Sequence, residues 1–115
     1  MTVVVAESMG VVLLDLRETL LDLGIGHVLG ASSAGHALKL IAAAPIDFAI
    51  VDAELDEAGN RSIAVRLEQL RVPYVLMSAR WTAADWHASS NHADFLAKPF
   101  STAELDAAIR RLTGA

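Results

Sequence analysis

Apolar residues in this chain fall into two kinds of run that alternate from end to end. Short runs without internal alternation occupy Thr2–Ala6 (TVVVA), His27–Ala31 (HVLGA), Phe48–Val51 (FAIV), Pro73–Met77 (PYVLM) and Asp94–Ala97 (DFLA). Each has the length and continuity of a strand covered on both faces. Between them apolar residues recur every three or four positions, the spacing of a helix face. Leu13, Leu16, Leu20 and Leu23 form one stripe between about Met9 and Leu23, and Gly24 suits its C-terminal stop. Ala34, Ala37, Leu38 and Ile41 form a second between about Ala34 and Ala43, with Ser33 placed to cap it and Pro45 to end it. Ile63, Leu67 and Leu70 mark a third, and a short, weakly patterned fourth runs from about Thr82 to Ala88. The last opens with Ser101-Thr102-Ala103-Glu104, a capping-box pattern, and carries Leu105, Ala108, Ile109 and Leu112.

Five strand–helix units in succession predict an α/β fold, a parallel sheet with helices on both faces, because each right-handed crossover returns the chain to the same edge. The 115 residues make one domain, 1–115, and no repeat or linker suggests a second. The chain ends with its fifth predicted helix, so no output domain is expected.

Composition narrows the function. The hydrophobic fraction is 54%, much of it alanine, and the net charge is −5 with no basic run. Direct nucleic-acid binding is not expected, because neutralising phosphates needs clustered Lys and Arg. With no cysteine, a disulfide framework and a thiolate zinc site are excluded. The first residues lack a signal peptide's basic flank and no run reaches membrane-spanning length, so the expectation is a soluble cytoplasmic protein without membrane attachment. The high apolar fraction, in so short a chain, leads to the expectation of a homodimer.

In such a sheet ligands bind beyond the carboxyl ends of the strands, where strand order reverses. The polar residues at those ends are Glu7 and Ser8, Asp52, Ser78 and Lys98. Alone, Asp52 reads first as a solvated strand-end acid, with metal ligand and nucleophile as the other readings. With a lysine and a hydroxyl nearby it fits phosphoryl chemistry, in which a carboxylate attacks phosphorus and catalysis is mainly positioning and charge neutralisation. Lys98 supplies a compact positive charge and Ser78 a hydrogen bond to a phosphoryl oxygen. Pro99 biases Lys98 towards extended backbone. A divalent ion, most plausibly Mg²⁺, would draw on Glu7, Asp52 and the backbone near Glu54. Ser8 also suits a cap on the first helix. His27, His36, His87 and His92 show no i, i+4 pair and read as surface or half-buried residues. Trp81 and Trp86 read as partial core, at a location that would also suit a partner-binding face. The run Gly24–Gly30 resembles a dinucleotide fingerprint but passes from helix into strand, the wrong direction.

These pieces together resemble the receiver domain of bacterial two-component response regulators over essentially the whole chain. The matching segments are VVVAES, FAIVDAEL, YVLMSA and FLAKPF, in the family's order and spacing. The resemblance implies a flavodoxin-like (βα)5 sheet of order 2-1-3-4-5. Asp52 would be the phosphoacceptor, served by a histidine kinase or phosphotransfer protein. Ser78 and Lys98 would bind the phosphoryl group, Phe95 would be the switch aromatic, and the small Ala79 would leave the donor an open approach. Signalling would pass by protein–protein contact through the face of the fourth helix, fifth strand and fifth helix. Such a chain resembles a stand-alone receiver, a self-phosphorylating switch and not a metabolic enzyme.

The sequence departs from the family at its acidic pair, which reads Glu7-Ser8, so Ser8 holds the place of a direct metal ligand. At about 4 Å and an effective dielectric of about 20, a pair of unit charges is worth roughly 4 kcal/mol before hydration is subtracted. A net third of that, on the order of 1.4 kcal/mol, weakens Mg²⁺ binding about tenfold. The expected compensation is Glu54, two residues past Asp52, whose side chain would return charge to the metal site. The loop DAELDEAGNRS also lacks the proline often found there. Two other readings follow. One is a degenerate receiver that binds partners without phosphorylation. The other is a small aspartate-nucleophile hydrolase like the haloacid-dehalogenase phosphatases, whose cap or longer body is missing here and for which no activity is expected.

Overall fold

Thr2–Ala6 (β1), His27–Ala31 (β2), Phe48–Asp52 (β3), Tyr74–Ser78 (β4) and Ala93–Ala97 (β5) pair side by side in a computed structural model that describes residues 1–55, 57–82 and 93–114, without the side chains of 57–60. All pairings are parallel and the sheet order is β2-β1-β3-β4-β5, the flavodoxin-like order expected. The helices are Gly10–Asp22 (α1), Ala34–Ala43 (α2), Glu57–Leu70 (α3) and Thr102–Thr113 (α4). The short helix expected at Thr82–Ala88 lies, but for Thr82, on residues outside those described.

The period of two along each strand sorts the core into two layers. Val3, Val5, Phe48, Ile50, Val75 and Met77 point to one face, where Leu16 and Leu20 of α1 and Leu105 and Ile109 of α4 meet them. Val4, Ala49, Val51 and Tyr74 point to the other, against Ile41 of α2 and Ile63 and Leu67 of α3. Every residue of β3 is buried, as a central parallel strand requires. The Tyr74 hydroxyl, carried into this core, donates to Glu68 at 2.9 Å.

The helix ends follow local chemistry. Ser33 caps α2, accepting from the His36 N–H at 3.2 Å. α1 ends in a Schellman turn, with Gly24 at φ +92° and the Ile25 N–H donating to the Leu20 carbonyl at 3.0 Å. α3 ends the same way, but Arg71 takes the left-handed position at φ 57°. α4 opens with a complete capping box: Ser101 Oγ accepts from the Glu104 N–H at 3.1 Å and Glu104 Oε1 accepts from the Ser101 N–H at 3.0 Å. Ser101→Ala is expected to cost about 1 kcal/mol, read as a lower urea midpoint at unchanged slope. An unchanged midpoint would show that the box adds nothing to stability.

Ser8 does not cap α1. The N-cap is Met9, in extended conformation and without a side-chain cap bond, and Ser8 lies outside it, exposed. Trp81 is 44% exposed and so lies outside the core, while Trp86 is beyond the described residues. His27 and His36 are exposed, as expected; His87 and His92 are not among the described residues. Among the described residues no helix is long and apolar enough to cross a membrane.

Candidate functional site

The alternation that builds the core also aims the polar residues at the strand ends. Glu7 continues the phase of Val3 and Val5, Asp52 that of Phe48 and Ile50, and Lys98 that of Leu96. All three therefore arrive on the α1/α4 side of the sheet edge. Lys98 Nζ lies 3.3 Å and 3.4 Å from the two carboxylate oxygens of Glu7 and 3.5 Å from Asp52 Oδ2. The backbone holds the ends in place beyond the ladder: the Glu7 N–H donates to the Ala31 carbonyl at 2.9 Å and the Lys98 N–H to the Ser78 carbonyl at 2.8 Å. The Lys98–Pro99 peptide is cis.

Neither acid is solvated in the way a strand end suggests. Glu7 is fully buried and Asp52 is 4% exposed. Burial, then the hydrogen bond and charge of Asp52, raise the Glu7 carboxyl from its ordinary 4.5 to about 7, and Lys98 pulls only partly the other way. Two carboxylates facing one ammonium leave the cluster short of positive charge. That shortage, in an all-oxygen donor set, fits a Mg²⁺ ion held by Glu7 and Asp52 with water completing its shell.

The Glu54 side chain, expected to return charge to the metal site, is engaged at the end of β4. Among the described residues no group of three acids or histidines is placed to hold a metal. The Glu54 N–H does donate to Asp52 Oδ1 at 3.0 Å, but its carboxylate runs to the end of β4. There Glu54 Oε1 accepts from the Ser78 hydroxyl at 3.0 Å, the Ala79 N–H at 2.8 Å and the Arg80 N–H at 3.2 Å. Ser78 has the opposite phase from Met77, which is why it meets Glu54 while Lys98 meets the acids. Ala79 is exposed, and its amide donates to Glu54. Ser8, at the degenerate ligand position, is exposed. Phe95 is buried on β5, opposite Leu76 in register.

Sequence reasoning missed the Arg80 and Trp81 amides, which donate to Ser78 Oγ at 3.0 Å and 2.9 Å. The signal was present, since a serine at a strand end readily accepts from the amides two and three residues on. A cleft of about 340 Å³, lined in part by Val12, Leu16, Met77 and Phe100, opens beside Lys98.

No family model and no curated protein sequence matches the chain. Solved structures do. A response regulator receiver protein from Sinorhizobium medicae is 25% identical, with a TM-score of 0.79 over 100% of this chain and 95% of that one. The fold is that of a response regulator receiver domain. A signal receiver domain of an HD domain-containing protein from Pseudomonas fluorescens superposes with a TM-score of 0.82 at 23% identity, over 96% of this chain and 92% of the other. The receiver domain of a sensor histidine kinase from Pseudomonas aeruginosa, with a magnesium ion coordinated in its active site cleft, gives 0.80 at 22%, over 99% and 98%. The receiver fold places the reversal of strand order between β1 and β3, the two strands that deliver Glu7 and Asp52.

Proposed function

We propose that the chain is a receiver switch in which Asp52 accepts a phosphoryl group from a histidine kinase or phosphotransfer protein. The observation that carries this reading is the buried Glu7–Asp52–Lys98 cluster at the point of strand reversal. An Asp52 oxygen attacks phosphorus, the bond from phosphorus to the donor breaks, and an acyl phosphate remains on the aspartate. Lys98, already between the two acids, neutralises charge on the transferring group, and Ser78 lies one strand away to bind a phosphoryl oxygen. Mg²⁺ held by Glu7 and Asp52 would supply further neutralisation, as the magnesium-bound receiver of Pseudomonas aeruginosa suggests. The modified fold would then signal by binding a protein at the face of β5 and α4, where Phe95 is buried. No metabolic turnover is expected.

A second reading, a degenerate receiver that binds partners without phosphorylation, is favoured by the neutral, exposed Ser8. Acetyl phosphate with Mg²⁺ separates the two. The chain should gain the mass of one phosphoryl group, with acetate as the leaving group, and Asp52→Asn should gain none. An adduct of equal yield on Asp52→Asn, or none on the wild type at high Mg²⁺, would sink the phosphoacceptor reading.

A further inference from the structure

The Glu54 carboxylate stands at the edge of the sheet, yet it is not given over to water. Its Oε1 takes three donors from one short segment, the Ser78 hydroxyl, the Ala79 N–H and the Arg80 N–H. Its Oε2 is buried with no hydrogen-bond partner. A carboxylate oxygen withdrawn from water and left unbonded is costly, so the bonds at Oε1 must offset that cost. Ser78 Oγ also accepts from the Arg80 and Trp81 amides, so its single proton is committed to Glu54. The backbone of Glu54 is tied to Asp52 Oδ1 in the same turn.

We propose that Glu54 is a positioning residue that stands in for a phosphoryl oxygen in the unmodified chain. The inference rests on Asp52 being the phosphoacceptor. β3 and β4 are neighbours, with Asp52 opposite Met77, so the Ser78 hydroxyl and the Ala79 N–H follow directly after Asp52's partner on that edge. An anionic oxygen within hydrogen-bond distance of both is what a phosphoryl group would place there, and Glu54 Oε1 already does so at 3.0 Å and 2.8 Å. The segment 78–80 is thus held in its anion-engaged arrangement before any modification. Lys98 is not part of this contact, being held by Glu7 and Asp52. Two anions cannot share the same three donors, so Glu54 must swing away before a phosphoryl oxygen can engage them. Glu54 thereby sets both the resting shape of the β4 end and the threshold for modification.

The test uses beryllofluoride with Mg²⁺ as the phosphoryl probe and amide NMR as the readout, on the wild type, Glu54→Ala and Glu54→Gln. Without the probe, Glu54→Ala should shift the Ala79 and Arg80 amide resonances and speed their hydrogen exchange. Glu54→Gln, whose amide oxygen still accepts, should largely keep them. Beryllofluoride should bind Glu54→Ala about tenfold more tightly than the wild type, and Glu54→Gln by an intermediate factor, the gain from removing an internal competitor. If the alanine chain does not fold, the affinity ratio of the glutamine chain to wild type decides alone. Unmoved amides in Glu54→Ala would overturn the proposal, as would equal affinities in all three chains, which would leave Glu54 as a brace for the loop. Failure of every chain to bind the probe would instead remove the phosphoacceptor reading, and this inference with it.

Discussion

Lys98→Met is expected to lower the unfolding free energy by about 3 kcal/mol at pH 8 but only by about 1 kcal/mol at pH 5, in urea titrations without Mg²⁺. Lys98 Nζ is the cation that meets two buried carboxylates, within 3.5 Å of each. Removing one partner of a buried cluster leaves the others uncompensated, and here two like charges would remain face to face. The pH dependence follows from Glu7. Its pKa, raised to about 7 from 4.5, means the folded chain holds the proton more tightly than the unfolded chain. The stability this contributes is complete below about pH 4.5 and is lost as pH rises through about 7, on the order of 3 kcal/mol at about 1.4 kcal/mol per unit. At pH 5 Glu7 keeps its proton, so Lys98→Met leaves only Asp52 unpaired. At pH 8 Glu7 must either carry its charge beside Asp52 without the lysine or take up a proton from dilute solution, and the larger cost appears. Glu7→Gln should restore most of the loss at pH 8 when combined with Lys98→Met. An equal loss at the two pH values would show that the lysine stem, not its charge, matters.

Phe48→Ala should cost about 3–5 kcal/mol, with Phe48→Leu costing a fraction of that. Phe48 is fully buried at the start of β3 and packs in the layer of α1 and α4. For a chain of this size the whole stability is on the order of 5–15 kcal/mol, so the alanine variant should be partly unfolded on mild warming. The same variant should weaken the site indirectly, because β3 is the strand that delivers Asp52. A loss below about 1 kcal/mol would mean the neighbouring side chains collapse into the space.

Much of this architecture was written in the hydrophobic spacing. β1 and β2 lie at the residues their apolar runs occupy, and Ser33, Gly24 and the Ser101–Glu104 box cap and stop helices as their chemistry requires. Strand-end position alone singles out Glu7, Asp52, Ser78 and Lys98, and the first, second and fourth do meet. What spacing could not convey was depth and direction. Asp52 is the last paired residue of β3, opposite Met77, and not the first of a loop, so it stays buried. The raised Glu7 pKa depends on that burial. Glu54 reaches the β4 end because the turn after Asp52 points its side chain across 24 residues of sequence, and no local pattern encodes such a contact. Ser8 looked like a cap, but α1 begins one residue later than that required.

The shared phase of Glu7, Asp52 and Lys98 with the inner face of the sheet makes the strands act as rulers. Inserting or deleting a single residue within β1, β3 or β5 would turn its reactive side chain to the opposite face and invert its apolar partners together. Chemistry and core are therefore locked to one count, and such a change loses both at once. Length can vary only beyond the ends of the ruler, in the turns that follow residues 7, 52 and 98, so those turns are where one copy of this design can differ from another.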